Sequence, residues 1–474
     1  MPERRTPLFD YHVRHAEMVR GGGEFLFPLT YGDVALEHLN TRQNVGMQDL
    51  STMGEVDVKG PGAERLINRL LVSEIRDLLP GQMRYGTLCN DSGGIVDDVT
   101  VYKFHDEHFM IVTSSAPRKK SARWISDHAL GHSAYSTDLT GAIALISLQG
   151  PRSRDLLSSA ARLQTPTTAL KFFHFSQATI NDTEIIVSRS GYTGELGYEL
   201  YVPSEEALGV WEFLMKSGRD FGLRPYGTTA MQSLRIEKAL PLAGPDIPDD
   251  ESRSPFQVGL DRWIRFDKPD FVGRDALLRQ QAMGVTERWI GLQVESDLAP
   301  RAGARVMAVA DMAPQRRVRK SGARAEEPIE QKSAGAQVGL VTSAARGHSL
   351  NKMLALAYVQ TTHTHPGLQL MVDVDGQARP AKVVPTPFFD PAGCGVWPAS
   401  DLNGATPGHA KCLQGQKRAC VRQCPITRCR RSSQRFDQRL IMCVQDYLES
   451  DRVMFADVCR SDAVRRLGIV LTLC

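Results

Sequence analysis

Ser92-Gly93-Gly94 opens directly into Ile95-Val96-Asp97-Asp98-Val99-Thr100-Val101-Tyr102, a β-branched run with two adjacent carboxylates inside it. The Gly-Gly pair supplies a permissive turn, and the residues after it favour an extended chain. Asp is disfavoured in strands, so a strand carrying two in succession is restricted in what can lie on either side of it. Side chains alternate faces along a strand, which sends Asp97 and Asp98 in opposite directions. Asp97 then shares a face with Ile95, Val99 and Val101, and Asp98 shares one with Val96, Thr100 and Tyr102. The first face suits a buried structural hydrogen bond. The second, polar and aromatic, suits a ligand, so parity makes Asp98 the candidate for chemistry. The plainer alternative is a pair of turn-proximal acids on a solvated edge, and on this stretch alone it stands ahead.

Around this stretch the chain reads as alternating helices and strands. Asp33 to Asn44 is a helix with Asp33 as its cap and Val34, Leu36 and Leu39 as apolar positions. Glu55 to Lys59 alternates as a half-exposed strand, and Pro61 to Leu71 is an amphipathic helix. Strands follow at Arg84 to Leu88, Ile95 to Phe104 and His108 to Thr113, then a helix at Pro117 to Leu130. A second pass of similar grammar begins near Ala142: strand Ile143 to Leu148, helix Ser153 to Ala161, strand Glu184 to Ser188, helix Ser204 to Lys216 capped by Ser204, and helix Thr229 to Ala239. The two passes hint at an internal pseudo-repeat without residue-level identity. This order predicts an α+β fold rather than a doubly wound sheet. No Gly-x-Gly-x-x-Gly follows a first strand, which leaves a dinucleotide-binding domain unsupported.

From Trp289 the texture changes to short strands separated by Gly and Pro: Trp289 to Val294, Ala336 to Thr342, Met353 to Val359, Leu368 to Val374 and Ala381 to Val384. That pattern predicts a small all-β barrel or sandwich, interrupted by a charged, disordered loop over Pro314 to Lys332. Beyond Cys394 the periodicity fails. Cys89 is the only cysteine before that point, which fits a reducing compartment, while eight of the nine fall in the tail. Cys412, Cys420, Cys424 and Cys429 lie near His409 but lack paired knuckle spacing. The tail therefore reads as a poorly ordered or non-native extension, with no metal assigned. Length sets an expectation of two to three domains in 474 residues. A net charge of +3 gives no argument for nucleic acid or an anionic membrane as partner. The N-terminus lacks the apolar core of a secretory signal, and a cytoplasmic protein is the default.

Read together, the motifs resemble the glycine-cleavage T-proteins, the tetrahydrofolate-dependent aminomethyltransferases. The resemblance starts at Thr6-Pro7-Leu8-Phe9-Asp10-Tyr11-His12 and continues through Met53-Gly54-Glu55 and Cys89-Asn90-Asp91-Ser92-Gly93-Gly94-Ile95-Val96-Asp97-Asp98. It goes on through Leu148-Gln149-Gly150-Pro151, Arg189-Ser190-Gly191-Tyr192-Thr193-Gly194-Glu195 and Asp270-Phe271-Val272-Gly273-Arg274-Asp275, as far as Val338-Gly339-Leu340-Val341-Thr342-Ser343. It covers about residues 6 to 391 in order; the tail has no counterpart. The resemblance implies a three-domain clover-leaf that binds folate: a core over 1–285 of two interleaved α+β domains, a C-terminal β-barrel over 286–393, and an atypical tail over 394–474. It implies Asp98 as the catalytic carboxylate and tetrahydrofolate as cofactor. Tyr192 and Glu199 match residues lining the pterin pocket, Met53 and Tyr102 match positions near the folate ring, and Arg235 matches the family's Ser-Leu-Arg-Leu-Glu motif. Taken singly, Glu199 could equally be a solvated strand residue and Arg235 a helix-surface ion pair.

The departures bear on the donor. Ser51-Thr52-Met53 stands where T-proteins carry Ser-His-Met, and Ala230-Met231-Gln232 where they carry Ala-Arg-Asp. Ala230 to Lys238 is similar instead to the folate-binding halves of dimethylglycine and sarcosine dehydrogenases and to dimethylsulfoniopropionate demethylase. Three functions follow: an aminomethyltransferase served by a lipoylated carrier protein, a demethylase moving a methyl group from a small donor to tetrahydrofolate, or a folate-binding protein without catalysis. Retention of Asp97-Asp98 argues against the third. A chain truncated after Pro391 is expected to keep its thermal midpoint; a collapse in solubility would show the tail to be structural.

Overall fold

The computed structural model describes residues 4–20, 25–310 and 333–393. The predicted loop over Pro314 to Lys332 and the cysteine-rich tail lie outside the described residues. Near the N-terminus β1 (Arg4–Arg5), α1 (Phe9–His15), β2 (Glu17–Arg20) and β3 (Phe25–Thr30) precede α2 (Val34–Gln43), the three strands forming a sheet of order β1-β3-β2. Asp33 caps α2 as expected, accepting from the Leu36 amide at 3.0 Å. The buried side of that helix is not its apolar side, however. Leu36 is exposed, while Glu37, His38, Asn40 and Thr41 are buried. The reason is tertiary: Glu37 accepts from the Thr30 hydroxyl and the Tyr31 and Gly227 amides, and those donors need a buried acceptor.

After β4 (Val45–Asp49) come β5 (Gly54–Lys59), α3 (Ala63–Leu70), β6 (Met83–Cys89), β7 (Ile95–His105), β8 (His108–Thr113), α4 (Arg118–Ala129) and β9 (Tyr135–Asp138). A second set follows: β10 (Ile143–Gln149), α5 (Ser153–Ala160), β11 (Ala161–Leu163), β12 (Phe175–Ile180), β13 (Thr183–Ser188), β14 (Gly197–Pro203), α6 (Ala207–Ser217) and β15 (Leu223–Pro225). The first set makes a five-stranded sheet, β6-β7-β8-β5-β9, and the six strands of the second, joined by β4, a seven-stranded sheet, β11-β12-β13-β14-β10-β4-β15. Both repeat one plan: a strand, a helix, a three-strand meander and a helix, with the first strand returning antiparallel to the last of the meander. The pseudo-repeat hinted at in the sequence is therefore a repeat of topology.

Each sheet buries one face under its own helices. Val56, Val58, Val99 and Val101 pack on α3 and α4, and Ala144, Ile146, Leu200 and Val202 pack on α5 and α6. The remaining faces meet through Met83, Tyr102, Met110 and Val112 from one sheet and Leu145, Phe175 and Tyr201 from the other. The result is four layers, helix–sheet–sheet–helix, with the two sheets facing each other.

The chain then passes through α7 (Thr228–Glu237), α8 (Pro255–Val258) and α9 (Arg274–Met283) to a closed barrel. Its strands are β16 (Glu287–Val294), β17 (Arg305–Ala310), β18 (Ser333–Gly347), β19 (Lys352–Gln360), β20 (Gln369–Val374) and β21 (Gln377–Val384), joined in the order β16-β19-β18-β17-β20-β21. The sequence reading anticipated five of these; β17, Arg-Val-Met-Ala-Val-Ala, has too many small residues to announce a strand and is recruited by closure between β18 and β20. Among the described residues no helix is long and apolar enough to cross a membrane.

Three local expectations need correction. A bulge interrupts the β6–β7 ladder, pairing Leu88 with Asp97 and Cys89 with Ile95, so Val96 is the extra residue. Alternation holds from Asp97 onward but fails before it: Val96 packs with Val99 and Val101, and Ile95 packs with Cys89 in another cluster. β5 is buried on both faces rather than half-exposed, with Glu55 and Asp57 covered as well as Val56 and Val58. Ser204 does not cap α6; it opens a short 3-10 turn, and its hydroxyl donates to the Gly141 carbonyl. At the start of α7, the backbone of Gly227 lies against β3, and a Cβ there would overlap the Leu29 carbonyl and the Thr30 amide. Gly227→Ala is expected to cost about 1–3 kcal/mol by forcing these backbones apart, read as a lower midpoint in chemical denaturation with the fold retained.

Candidate active site

The bulge in β7 decides which carboxylate faces the seven-stranded sheet. Beyond it, residues 97, 99 and 101 are buried against the α3/α4 layer, while 98 and 100 are half-buried on the opposite face. Asp97 is 1% exposed, and its Oδ2 accepts from the Ser121 hydroxyl of α4 at 2.7 Å and the Ser114 amide at 3.2 Å. Asp98 faces the other way. Its Oδ2 accepts from the Tyr85 hydroxyl of β6 at 2.9 Å and its Oδ1 from the Ser114 hydroxyl at 3.1 Å. Burial pushes both carboxyls above the ordinary Asp range, and the charge of Asp98 raises Asp97 further. Two carboxyls on adjacent residues cannot both ionise cheaply under burial. Asp98 has the two hydroxyl donors that favour its charged form.

Tyr102, four residues along the same face, is fully buried, and its hydroxyl meets Tyr201 of β14 at 2.6 Å and donates to Ser188 of β13 at 3.1 Å. Met53 packs in the same intersheet cluster. Glu199 enters from β14 on the facing sheet, with Oε2 accepting from the Ser190 hydroxyl at 2.5 Å; Oε1 takes no hydrogen bond among the described residues. Burial raises the Glu199 carboxyl, opposed by that hydrogen bond. Met53 and Tyr102 thus share the intersheet cluster, and Glu199 is joined to Tyr102 through Ser190 and Ser188. The solvated-strand alternative for Glu199 does not describe its surroundings.

Tyr192 and Arg235 meet at a different wall, the turn after α7. Tyr192 donates to the Pro241 carbonyl at 2.5 Å. Arg235 is an ion-pair residue, but a buried one rather than a helix-surface one. Its Nη1 donates to Asp246 Oδ2 at 2.5 Å and to the Leu240 carbonyl, Nη2 to the Ser343 hydroxyl and Gln232, and Nε to Gln232. All five N–H donors of the guanidinium are engaged within the protein, leaving none for a ligand. Asp246 in turn accepts from the Thr342 and Ser343 hydroxyls of β18 and the Leu242 amide. Arg235 therefore holds the wall in place. The charge of Asp246 reaches both Tyr192 and Asp98, which puts this wall beside the carboxylate.

Sequence reasoning missed Tyr85, Ser114, Asp246 and the Ser188–Ser190 pair. Tyr85 was within reach, because an antiparallel hairpin through Asn90-Asp91-Ser92-Gly93-Gly94 sets β6 beside β7. Asp246 was not, since only the packing of the barrel against α7 brings it to the site. Glu55, fully buried and two residues beyond Met53, was also missed as an ionisable group; neither carboxylate oxygen has a hydrogen-bond partner among the described residues, and burial raises it well above its ordinary range.

The model of the GCVT N-terminal domain matches residues 8–268, and that of the glycine cleavage T-protein C-terminal barrel domain matches residues 289–390. The chain belongs to the glycine cleavage T-protein family. An aminomethyltransferase of Halothermothrix orenii is 32% identical over 387 residues, 81% of this chain and 100% of that protein. One of Saccharopolyspora erythraea is 31% identical over 387 residues, covering 81% and 98%. The crystal structure of the glycine cleavage system aminomethyltransferase T from Bartonella henselae superposes with a TM-score of 0.70 at 27% identity, covering 82% of this chain and 99% of that one. The protein is an enzyme, a transferase of the aminomethyltransferase kind.

Opposite faces predict different phenotypes for Asp97 and Asp98. Asp98→Asn is expected to lower turnover by about two to three orders of magnitude, as for loss of a transition-state electrostatic partner, with folate affinity within a few-fold. Asp97→Asn puts an amide N–H where Oδ1 now has no partner, and is expected to cost about 1–3 kcal/mol of stability with kcat retained. Equal kinetic effects with unchanged stability would contradict this assignment.

Proposed function

We propose that this chain transfers a one-carbon unit to tetrahydrofolate bound between the two sheets, with Asp98 beside the reacting nitrogens and Glu199 holding the pterin. The observation that carries the reading is that these carboxylates, from β7 and β14, share the facing sides of the two sheets with Tyr102 and Tyr201, which meet in the intersheet cluster. Glu199 suits the ligand chemically. A pterin edge presents adjacent N–H donors, and a carboxylate with one oxygen tethered by Ser190 and the other free can accept from them. Tyr102 and Met53 supply apolar surface for the ring, and Tyr192 a rim. Tetrahydrofolate, when bound, supplies the nitrogens that accept the one-carbon unit.

Every other part of the task falls to the protein. Asp98, anchored by Tyr85 and Ser114, orients the acceptor and stabilises positive charge that develops on the one-carbon carrier. This is a fixed electrostatic role, with the two hydroxyls holding the carboxylate in place and partly offsetting the rise that burial imposes on it. Arg235 and Asp246 act as positioning residues for the Tyr192 wall. The inner faces of both sheets keep water away from the transfer.

The donor is proposed to be an aminomethyl group presented by a lipoylated carrier protein, in line with the aminomethyltransferase relatives. Met231, which differs from the T-protein pattern, packs against the cluster of Val34, Tyr226 and Leu234 between helices. That substitution changes helix packing and is a poor argument for a small methylated donor. Product analysis decides: methylene-tetrahydrofolate with free ammonia is expected from an aminomethyl-lipoyl carrier, whereas methyl-tetrahydrofolate from a small methylated donor would establish the demethylase. Absence of any thermal shift with tetrahydrofolate would defeat both.

A further inference from the structure

Behind Glu199 runs an unbroken chain of hydroxyls. Ser190 donates to Glu199 Oε2 at 2.5 Å, Ser188 lies 2.7 Å from Ser190, the Tyr102 hydroxyl donates to Ser188 at 3.1 Å, and Tyr201 lies 2.6 Å from Tyr102. Each hydroxyl has a single hydrogen to give. Ser190 spends its hydrogen on Glu199 and Tyr102 spends its own on Ser188. Tyr201 then donates to Tyr102, and Ser188 donates to Ser190 at 2.7 Å in preference to its longer alternative, the Glu199 carbonyl at 3.5 Å, so the O–H groups along the chain point toward the carboxylate. Such a polarised chain stabilises negative charge at its end more than one isolated hydrogen bond does.

We propose that Tyr201 and Ser188 are positioning residues for the folate-binding carboxylate, holding this one-way chain so that Glu199 stays ionised and correctly aimed. The inference rests on the folate reading above. Neither residue needs to touch the ligand, because Tyr201 reaches the Glu199 carboxylate through Tyr102 and Ser188, and Ser188 reaches it through Ser190, its other contact with Glu199 being to the backbone carbonyl at 3.5 Å. The ionisable groups facing Glu199 are Tyr102 from β7, Tyr201 on its own strand and Tyr226 after β15, and burial keeps all three neutral. Ser147 and Gln48 flank it across the sheet. With burial opposing the charge, the Ser190 hydrogen bond at the head of the chain is the favourable influence on it.

The sign of the effect follows directly. A carboxylate that accepts from the ligand must be ionised, so affinity rises with pH through the Glu199 titration. Removing distal donors raises that titration and moves the midpoint upward. The test is calorimetric titration with tetrahydrofolate under anaerobic conditions across the acid-to-neutral range. The full chain is compared with Tyr201→Phe, Ser188→Ala and Ser188→Thr, each checked for an unchanged near-ultraviolet spectrum. Tyr201→Phe keeps the ring in its packed cluster and removes one hydroxyl, and Ser188→Ala breaks the chain at a second point if the first variant does not fold. The expected result is a midpoint raised by about one pH unit, equivalent to about tenfold weaker binding on its acid side, with affinity at high pH preserved and Ser188→Thr restored to the parent profile. A midpoint that does not move, a uniform loss at every pH, or no restoration by Thr overturns the proposal. Failure of the parent chain to bind tetrahydrofolate defeats the folate reading instead, so the two failures are distinguishable.

Discussion

The guanidinium of Arg42 is the contact on which the other parts converge. It projects from α2 and donates to the Thr193 carbonyl at 2.7 Å and Glu195 at 3.0 Å, to the Leu234 carbonyl and Glu237 of α7, and to Ser349 after β18, while stacking on the Phe389 ring. One side chain thus ties the N-terminal helix, the Gly-Tyr-Thr-Gly-Glu loop, α7 and the barrel. A buried cation is tolerable only with this many partners, and losing one carboxylate of such a network typically costs about 3–5 kcal/mol. Its two acids respond differently: Glu237, close to His38 and Arg42, is held down at about 2, whereas burial lifts Glu195 to about 7. Only Arg, with a planar fork and five donors, can serve such divergent partners at once.

From that junction the catalytic geometry follows. The Gly191–Glu195 segment connects β13 to β14, so anchoring it sets where Tyr192 and Glu199 lie. Anchoring α7 sets Arg235, and through Asp246 the turn that receives the Tyr192 hydroxyl. From the opposite side the five-stranded sheet presents Asp98 and Tyr102. The candidate site is therefore built by two sheets of similar topology facing each other, each closed on its outer face by its own helices. The division between Asp97 and Asp98 repeats this plan at the scale of two residues: one acid fastens β7 to α4, and its neighbour lies on the opposite face, held by Tyr85 and Ser114.

Much of this was legible in the chain. β8 and the strand and helix around Asp97-Asp98 emerge from β-branched runs, caps and turn residues within a residue or two of their observed bounds, because those signals are local. The parity of the two acids was legible for the same reason, since pleating is a property of the backbone. What local reasoning misplaced has non-local causes. The bulge at Val96 depends on how β6 pairs with β7, and β17 becomes a strand because a barrel needs it to close. α2 buries its polar side because Glu37, His38 and Arg42 have partners that are distant in sequence.

The sequence by itself determined the family, the α+β architecture with its C-terminal barrel, and the face on which Asp98 lies. Each of these is carried by ordered motifs or by the alternation of a strand. Only the tertiary structure decided that Arg235 is fully engaged in holding a wall, that Tyr85 and Ser114 anchor Asp98, and that Glu199 ends a chain of hydroxyls from two sheets. The physical reason is that a side chain's chemistry depends on which donors and acceptors remain unsatisfied after packing. That is settled by contacts between residues far apart in the chain, such as Arg235 with Ser343 and Tyr102 with Tyr201.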